Sequence, residues 1–416
     1  MKLQAKTMAR LAPCMLALAA GVALAGEVPA GKPEASGMSS ERLLRVHQAV
    51  QRHIDAGSIT GAVTLVARRG RIVHFEAHGL MDSEAKRPME KSTIFRIASM
   101  SKPITAVAVL MMIEEGKLRL SDPVSRFLPE FKRMQVAVPR TVKVAGEDPY
   151  YVVPAEREIT VRDLLTHTSG LMSWQSPIPG PKLEPNATLA THVPKFAQVP
   201  LDFQPGTQWS YSGLGGPDVL SRVVEVVSGQ PYDEFLRVRL FEPLGMKDTF
   251  FSAPADKRPR LVTLYQRSPE GLRKAANQEG IFMPTYFSGA GGLMSTAEDY
   301  LQFGQMLANG GELNGKRILS PRTVELMASN HVGDMFNGKL GRPARGMGFG
   351  LLVAVIQDST AAGLRVSNGS FGWDGAYGTQ MWVDPKEKMV TVIMMQTQTQ
   401  VLQRDFENAV IQAIID

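Results

Sequence analysis

The sequence predicts an α/β fold of the α+β type: one antiparallel sheet built from both ends of the chain and flanked by helices, with a mainly helical subdomain inserted between them. Three observations carry this. Segments rich in branched and aromatic residues lie near residues 62–78 and again beyond Gly346, the stretch between them has helical periodicity without convincing strands, and a helical pattern precedes the first strand and follows the last.

In chain order, residues 1–25 read as a secretory leader. Lys2, Lys6 and Arg10 precede the apolar run Leu11 to Gly26, and Ala23-Leu24-Ala25 supplies a small-x-small cleavage site. The run of about fifteen residues is short for a membrane span. Cleavage after Ala25, a periplasmic or secreted location and no stable membrane anchor thereafter are expected. Cys14 stands inside the run rather than at its end, which argues against a lipoprotein. Residues 26–416 are expected to form a single catalytic domain, with a sheet subdomain at about 38–115 and 290–416 and a helical subdomain at about 116–289.

Ser39 and Ser40 can cap a helix carrying Leu43, Val46, Val50 and Ile54, ended by Gly57. Ala62 to Arg69 and Arg71 to His78 read as a hairpin turning at Gly70, and Ile94 to Glu115 as a buried helix stopped by Gly116. Helices follow at Val161 to His167, Pro217 to Ser228, Tyr232 to Leu240, Thr296 to Ala308 and Pro321 to Ala328. Ser295 and Glu298 suggest a capping box, and Ser320-Pro321 places proline at the first helical position. Ser173 to Pro205, with seven of the 27 prolines, reads as a binding loop or a disordered stretch. Met347 to Val355, Ala376 to Val383 and Met389 to Met395 read as strands, and a terminal helix carries Leu402, Phe406, Val410 and Ile414.

Composition removes several functions. One cysteine allows no disulfide framework and no multi-cysteine metal site. Losing Lys2, Lys6 and Arg10 takes the 46 basic residues to 43 against 40 acidic ones, a net charge of +3 that is too mild to argue for a nucleic-acid partner. The seven histidines are scattered, no His-Glu-x-x-His occurs, and His74 with His78 read as surface residues, so neither metal nor cofactor is expected. Gly289-Ala290-Gly291-Gly292 follows a loop rather than a strand and does not read as a phosphate site. No Gly-x-Ser-x-Gly elbow is present. With Cys14 gone from the mature chain, a nucleophile has to be a hydroxyl.

Ser99-Met100-Ser101-Lys102 leads into the apolar run Ile104 to Met112. Residues three apart on a helix share a face, so a desolvated lysine there can take the proton of a serine that sits among unpaired N–H groups. The bland alternative has Ser99 merely capping the helix and Lys102 solvated. Pro103 is compatible with the first version only if winding begins a few residues earlier. A second Ser-x-x-Lys, Ser83 to Lys86, runs into polar residues that would not hold it rigidly. Tyr211-Ser212-Gly213 places a tyrosine in a Gly-bounded turn where it can relay a proton. Gly372-Trp373-Asp374-Gly375-Ala376 precedes a strand, so the Ala376 N–H can join that of Ser99 as an oxyanion hole; otherwise Trp373 is a core anchor.

Ser99 to Pro103, Leu164 to Leu171, Pro205-Gly206 before Tyr211-Ser212, Gly291 to Leu293 before Ser295, and Gly372 to Gly378 before Trp382 to Pro385 together resemble the serine β-lactamase-related superfamily. It includes class C β-lactamases, D-Ala-D-Ala carboxypeptidases and family VIII carboxylesterases, the last being most similar. The resemblance implies a β-lactamase/transpeptidase-like fold, Ser99 as acylated nucleophile, Lys102 as its base, Tyr211 as second proton-transfer residue, Ala376 completing the oxyanion hole and His167 as structural. Two departures concern substrate. No tyrosine is followed by x-Asn and no Lys-Thr-Gly exists; Gly213 and Trp373 stand in those places. Ser212, Gly213, Trp373, Asp374 and Gly375 are the expected substrate-binding residues, and an indole in place of a cation suits neutral esters. The charge of Asp374 is unassigned. The expected function is a secreted serine carboxylesterase acting on a small-molecule ester. A β-lactamase or D-amino-acid peptidase is the alternative, and an acyltransferase or non-catalytic partner the third.

Overall fold

The computed structural model describes residues 27–142, 146–174, 176–278, 284–397 and 399–416, so the leader read at residues 1–25 lies outside the described residues. Helix α1 (Ser40–Asp55) starts where the Ser39 hydroxyl accepts the Arg42 N–H, and it buries Leu43, Val46, Ala49 and Val50. Strands β1 (Gly61–Arg68) and β2 (Arg71–Asp82) are joined by Arg69 and Gly70, at φ 53° and 73°. Two successive left-handed residues match the twist of the flanking strands. Strand β3 (Arg87–Pro88) closes that edge.

The other strands come from the far end of the chain: β4 (Met347–Phe349), β5 (Ala354–Ile356), β6 (Phe371–Asp374), β7 (Gln380–Asp384) and β8 (Met389–Met394). The order is β4-β5-β6-β7-β8-β1-β2-β3, antiparallel throughout. β8 lies beside β1 with Val63 opposite Met394 and Arg68 opposite Met389.

Helix α2 (Ser101–Glu114) is buried from Ser101 to Met112 and packs against α3 (Gly215–Ser228). One face of the sheet is covered by α4 (Ala297–Ala308), which shares a core with Val63, Leu65 and Val392. The other carries α1 and α5 (Gln400–Ile411), packed through Val46, Val66, Ile393, Leu402 and Phe406. Both layers follow from alternation along β1, which turns Val63 and Leu65 to one side and Ala62 and Val66 to the other, all of them fully covered.

Several expectations need correction. The helix read from Ile94 begins at Ser101 after a 3₁₀ turn at Ala98–Met100, because Phe95–Arg96 pairs with Met294–Ser295 as a short ladder. Ser295, spent in that ladder, is not a cap; Thr296 caps α4 by accepting the Asp299 N–H. The middle of the chain contains hairpins, Gln135–Pro139 with Tyr150–Pro154 and Tyr265–Ser268 with Gly271–Lys274, whose exposed residues mask alternation. Met347 to Val355 is two strands rather than one, with Leu352 at φ 57° in the turn between them. The strand placed at Ala376 begins at Gln380, and Phe371–Asp374 is itself a strand. Helix Tyr232–Leu236 continues as a π-helical turn, Arg237–Phe241. Within the proline-rich segment, Leu189–His192 and Val193–Gln198 are helical. His78 is buried and His74 half-buried, both bonded to Thr64, so neither is a surface residue.

Candidate active site

Ser99 lies in the 3₁₀ turn that feeds α2, half-exposed among buried neighbours. Ala98 before it has φ 44°, a strained backbone that the surrounding structure must hold in place. It is held from two sides. Ile97 donates its N–H to the Leu293 carbonyl (3.1 Å), and Ser101 accepts the Leu293 N–H with its hydroxyl (3.1 Å). Winding therefore starts before Ser101, and Pro103 falls in the first helical turn, where no N–H is required.

Lys102 is 1% exposed, which removes the solvated alternative. Its Nζ donates to the Gly213 carbonyl (2.9 Å), the Ala290 carbonyl (2.7 Å) and Ser99 Oγ (3.1 Å). Two carbonyls use two N–H bonds, so the third tetrahedral direction of the amine points at Ser99. Proton exchange along that direction needs no rotation of the side chain.

Tyr211 donates its hydroxyl to Ser99 Oγ at 2.8 Å. Its ring is fixed by His167 (centroids 4.8 Å), Trp373 (5.6 Å) and Trp209 (6.4 Å), and Lys102 Nζ sits 4.9 Å from the ring centre. His167 accepts the Ser212 N–H at Nδ1 (3.3 Å). Burial, and then the Lys102 charge, hold this imidazole well below its usual range and so keep it a neutral acceptor. It positions the Tyr211 loop.

The turn after β6 reaches the same place. Thr379 donates its hydroxyl to the Ile97 carbonyl (3.3 Å), and a Cβ on Gly375 would stand 2.4 Å from that oxygen, so only glycine permits the approach. Within the turn, Gly375 N–H donates to Thr379 O and Gly378 N–H to Gly375 O. Among the described residues no acceptor takes the Ala376 N–H, and Ala376 is exposed.

Ser99, Lys102, Tyr211 and the Gly213 carbonyl thus converge. Three expected substrate-binding side chains do not. Ser212 is buried, donating to the Leu171 carbonyl (2.7 Å) and accepting the Gly216 N–H (2.8 Å), so its hydroxyl fixes the start of α3. Asp374 pairs with Arg342 and accepts the Gln380 amide (2.9 Å), which accounts for its charge. Trp373 is 3% exposed, packed with Phe336, Phe349 and Tyr211, and so serves as a core anchor behind Tyr211.

One residue of the site carried no signal in the sequence. Asp218, in the first turn of α3, is buried and accepts the Tyr286 hydroxyl (2.8 Å), the Ser288 hydroxyl (2.7 Å) and the Ala290 N–H (3.0 Å). It holds the loop whose Ala290 carbonyl receives Lys102. Burial holds its carboxyl above the usual range, against the downward pull of those three donors and the Lys102 charge. Asp218→Asn is expected to lower kcat about tenfold with little change in KM, since it replaces one of the acceptor oxygens of the hydrogen-bond set behind Lys102 with an N–H donor. Steady-state kinetics on an ester check this, and an unchanged kcat would contradict the role.

A Ser-x-x-Lys pair with its lysine buried and its serine joined by a tyrosine hydroxyl, at the junction of an antiparallel sheet and a helical layer, is the arrangement found here, and residues 46–414 match the Beta-lactamase family. The chain belongs to the Beta-lactamase family. Within that family it is similar to esterase EstB of Burkholderia gladioli, 34% identical over 359 residues that cover 78% of this chain and 83% of EstB. It is also 34% identical to the lovastatin esterase of Penicillium rubens over 302 residues, 68% of this chain and 72% of that protein. Among solved structures, EstCE1, a hydrolase with promiscuous acyltransferase activity, superposes with a TM-score of 0.74 at 30% identity and covers 89% of this chain and 99% of its own. The fold is that of the serine β-lactamase-related superfamily, on its family VIII esterase side.

Proposed function

We propose that this Beta-lactamase family member is an exported serine carboxylesterase that cleaves small neutral esters through an acyl-enzyme on Ser99. Lys102 takes the Ser99 proton as Oγ bonds to the ester carbonyl carbon, and the oxyanion is received by the N–H groups of Ser99 and Ala376. The proton then passes through Lys102 and Tyr211 to the departing alkoxide, which leaves as alcohol. Water attacks the acyl-enzyme, gives its proton to the same pair, and the acid departs as Ser99 regains its hydrogen.

The observation that carries the ester assignment is the surroundings of the nucleophile. At the position where the superfamily resemblance expects a carboxylate-binding cation, this chain has Trp373, an uncharged core anchor behind Tyr211, and the adjacent Arg342 is paired with Asp374. The rim is apolar: Trp174 is 73% exposed, its ring 3.7 Å from where a Cβ on Gly213 would stand, and Leu214, next in sequence, is 46% exposed. Esterase relatives support the same reading. Export rests on the leader, with release after Ala25.

The test uses protein taken from the exported fraction, whose N-terminal sequence is expected to begin at Gly26. A panel of p-nitrophenyl esters, nitrocefin and D-amino-acid peptides is expected to show turnover of short-chain esters far above the others. A fluorophosphonate adduct should map to Ser99. Nitrocefin turnover equal to ester turnover would move the assignment to the amide-cleaving branch, and absence of an adduct would remove the enzymatic one.

A further inference from the structure

His74, Glu76 and His78 occupy alternate positions of β2 and therefore share one face. Their cross-strand partners on β1 are Val66, Thr64 and Ala62, on the side of the sheet that α1 and α5 cover. Polar side chains in succession beside the buried Ala62, Val66 and Val73 are costly unless partnered. Helix α1 brings His47 over them. His47 Nδ1 lies 2.7 Å from Glu76 Oε1, His78 Nε2 lies 3.9 Å from Glu76 Oε2, and the His47 and His78 rings are 5.4 Å apart between centroids.

One ligand atom from each of His47, Glu76 and His78 falls within 4.8 Å of the others. A tetrahedral ion with nitrogen and oxygen ligands at about 2.0–2.1 Å requires them about 3.3 Å apart, and the observed 2.7 and 3.9 Å lie on either side of that. Thr64 Oγ1 is hydrogen-bonded to Nε2 of His74 (2.7 Å) and of His78 (2.9 Å), so an ion taken at His78 Nε2 replaces the second of these bonds while His74 goes on partnering the hydroxyl. His78 is 3% exposed, and its Nδ1 has no hydrogen-bond partner among the described residues.

We propose that His47, Glu76 and His78 form a binding site for a divalent transition metal of the zinc type, with water as fourth ligand, that pins α1 to β2. Two imidazoles and one carboxylate select such an ion over calcium or magnesium, which take oxygen shells of six or more. Because the cluster lies on the sheet face opposite α4, the ion is structural and takes no part in hydrolysis.

The test is titration of untagged, EDTA-treated protein with zinc sulfate by calorimetry, and with cobalt chloride by visible absorption. The expected result is one ion per chain, cobalt bands of four-coordinate intensity, and a melting temperature raised by about 3 °C at a free zinc concentration near 100 times Kd. His47→Ala and Glu76→Gln change side chains that reach solvent, so both variants should melt like the metal-free parent yet lose the ion and the melting shift. Ester hydrolysis should be the same with zinc, with EDTA and in both variants. Failure to bind one ion, or binding of equal affinity in both variants, overturns the proposal. Neither outcome bears on the esterase assignment.

Discussion

Ser99→Ala is expected to lower kcat for p-nitrophenyl butyrate by at least about 10⁴-fold, because the acyl-enzyme can no longer form and only binding and oxyanion contacts remain. The fold should not suffer. Ser99 is half-exposed, and when its hydroxyl is removed Lys102 keeps its bonds to the Gly213 and Ala290 carbonyls. Unchanged far-UV circular dichroism together with lost turnover and lost fluorophosphonate labelling is the expected pattern. Surviving ester turnover would mean that another group is the nucleophile.

Lys102→Ala should reduce kcat by about 10²–10⁴-fold, the usual worth of a positioned proton acceptor, while KM stays within a few-fold. Here stability should fall as well. The side chain is buried, and its loss leaves the Gly213 and Ala290 carbonyls without a donor, at roughly 1–3 kcal/mol for each unsatisfied group. A lower melting temperature in this variant but not in Ser99→Ala is the signature of a lysine that both holds the site and moves its proton. Partial recovery of kcat on adding ethylamine separates these two roles, since an added amine restores the base and leaves the cut tether unrepaired. A Lys102→Ala enzyme with wild-type kcat would eliminate Lys102 as base.

The residues that converge on Ser99 were legible because their signals are local. Lys102 stands one helical turn from the serine on an apolar helix, and Tyr211 stands in a turn that glycine and proline mark out. What was illegible depends on partners distant in sequence. Phe95–Arg96 extends rather than winds only because Met294–Ser295 arrives beside it, and Ser212 looked available until Leu171 and Gly216 claimed its hydroxyl. Asp218 reads as an ordinary residue in the first turn of a helix; its importance comes from Tyr286, Ser288 and Ala290, about seventy residues downstream. His78 was misplaced for the same reason, since alternation along β2 cannot reveal that α1 lies over it. The eight-stranded sheet was legible in outline because branched residues mark its central strands, whereas β6 is interrupted by Gly372 and too short to declare itself.

The pairing of β1 with β8 also bears on when the molecule can fold. A ribosome releases Arg68 more than three hundred residues before its neighbour Met389, and at 5–20 residues per second that interval lasts about 15–60 s. Throughout it, β1 presents an unsatisfied edge and α1 lacks α5, its companion on the same face. The sheet is therefore closed by the last tenth of the chain to be synthesised. A stop codon shortly before residue 389 would leave Ser99, Lys102 and Tyr211 fully encoded and the protein without a scaffold.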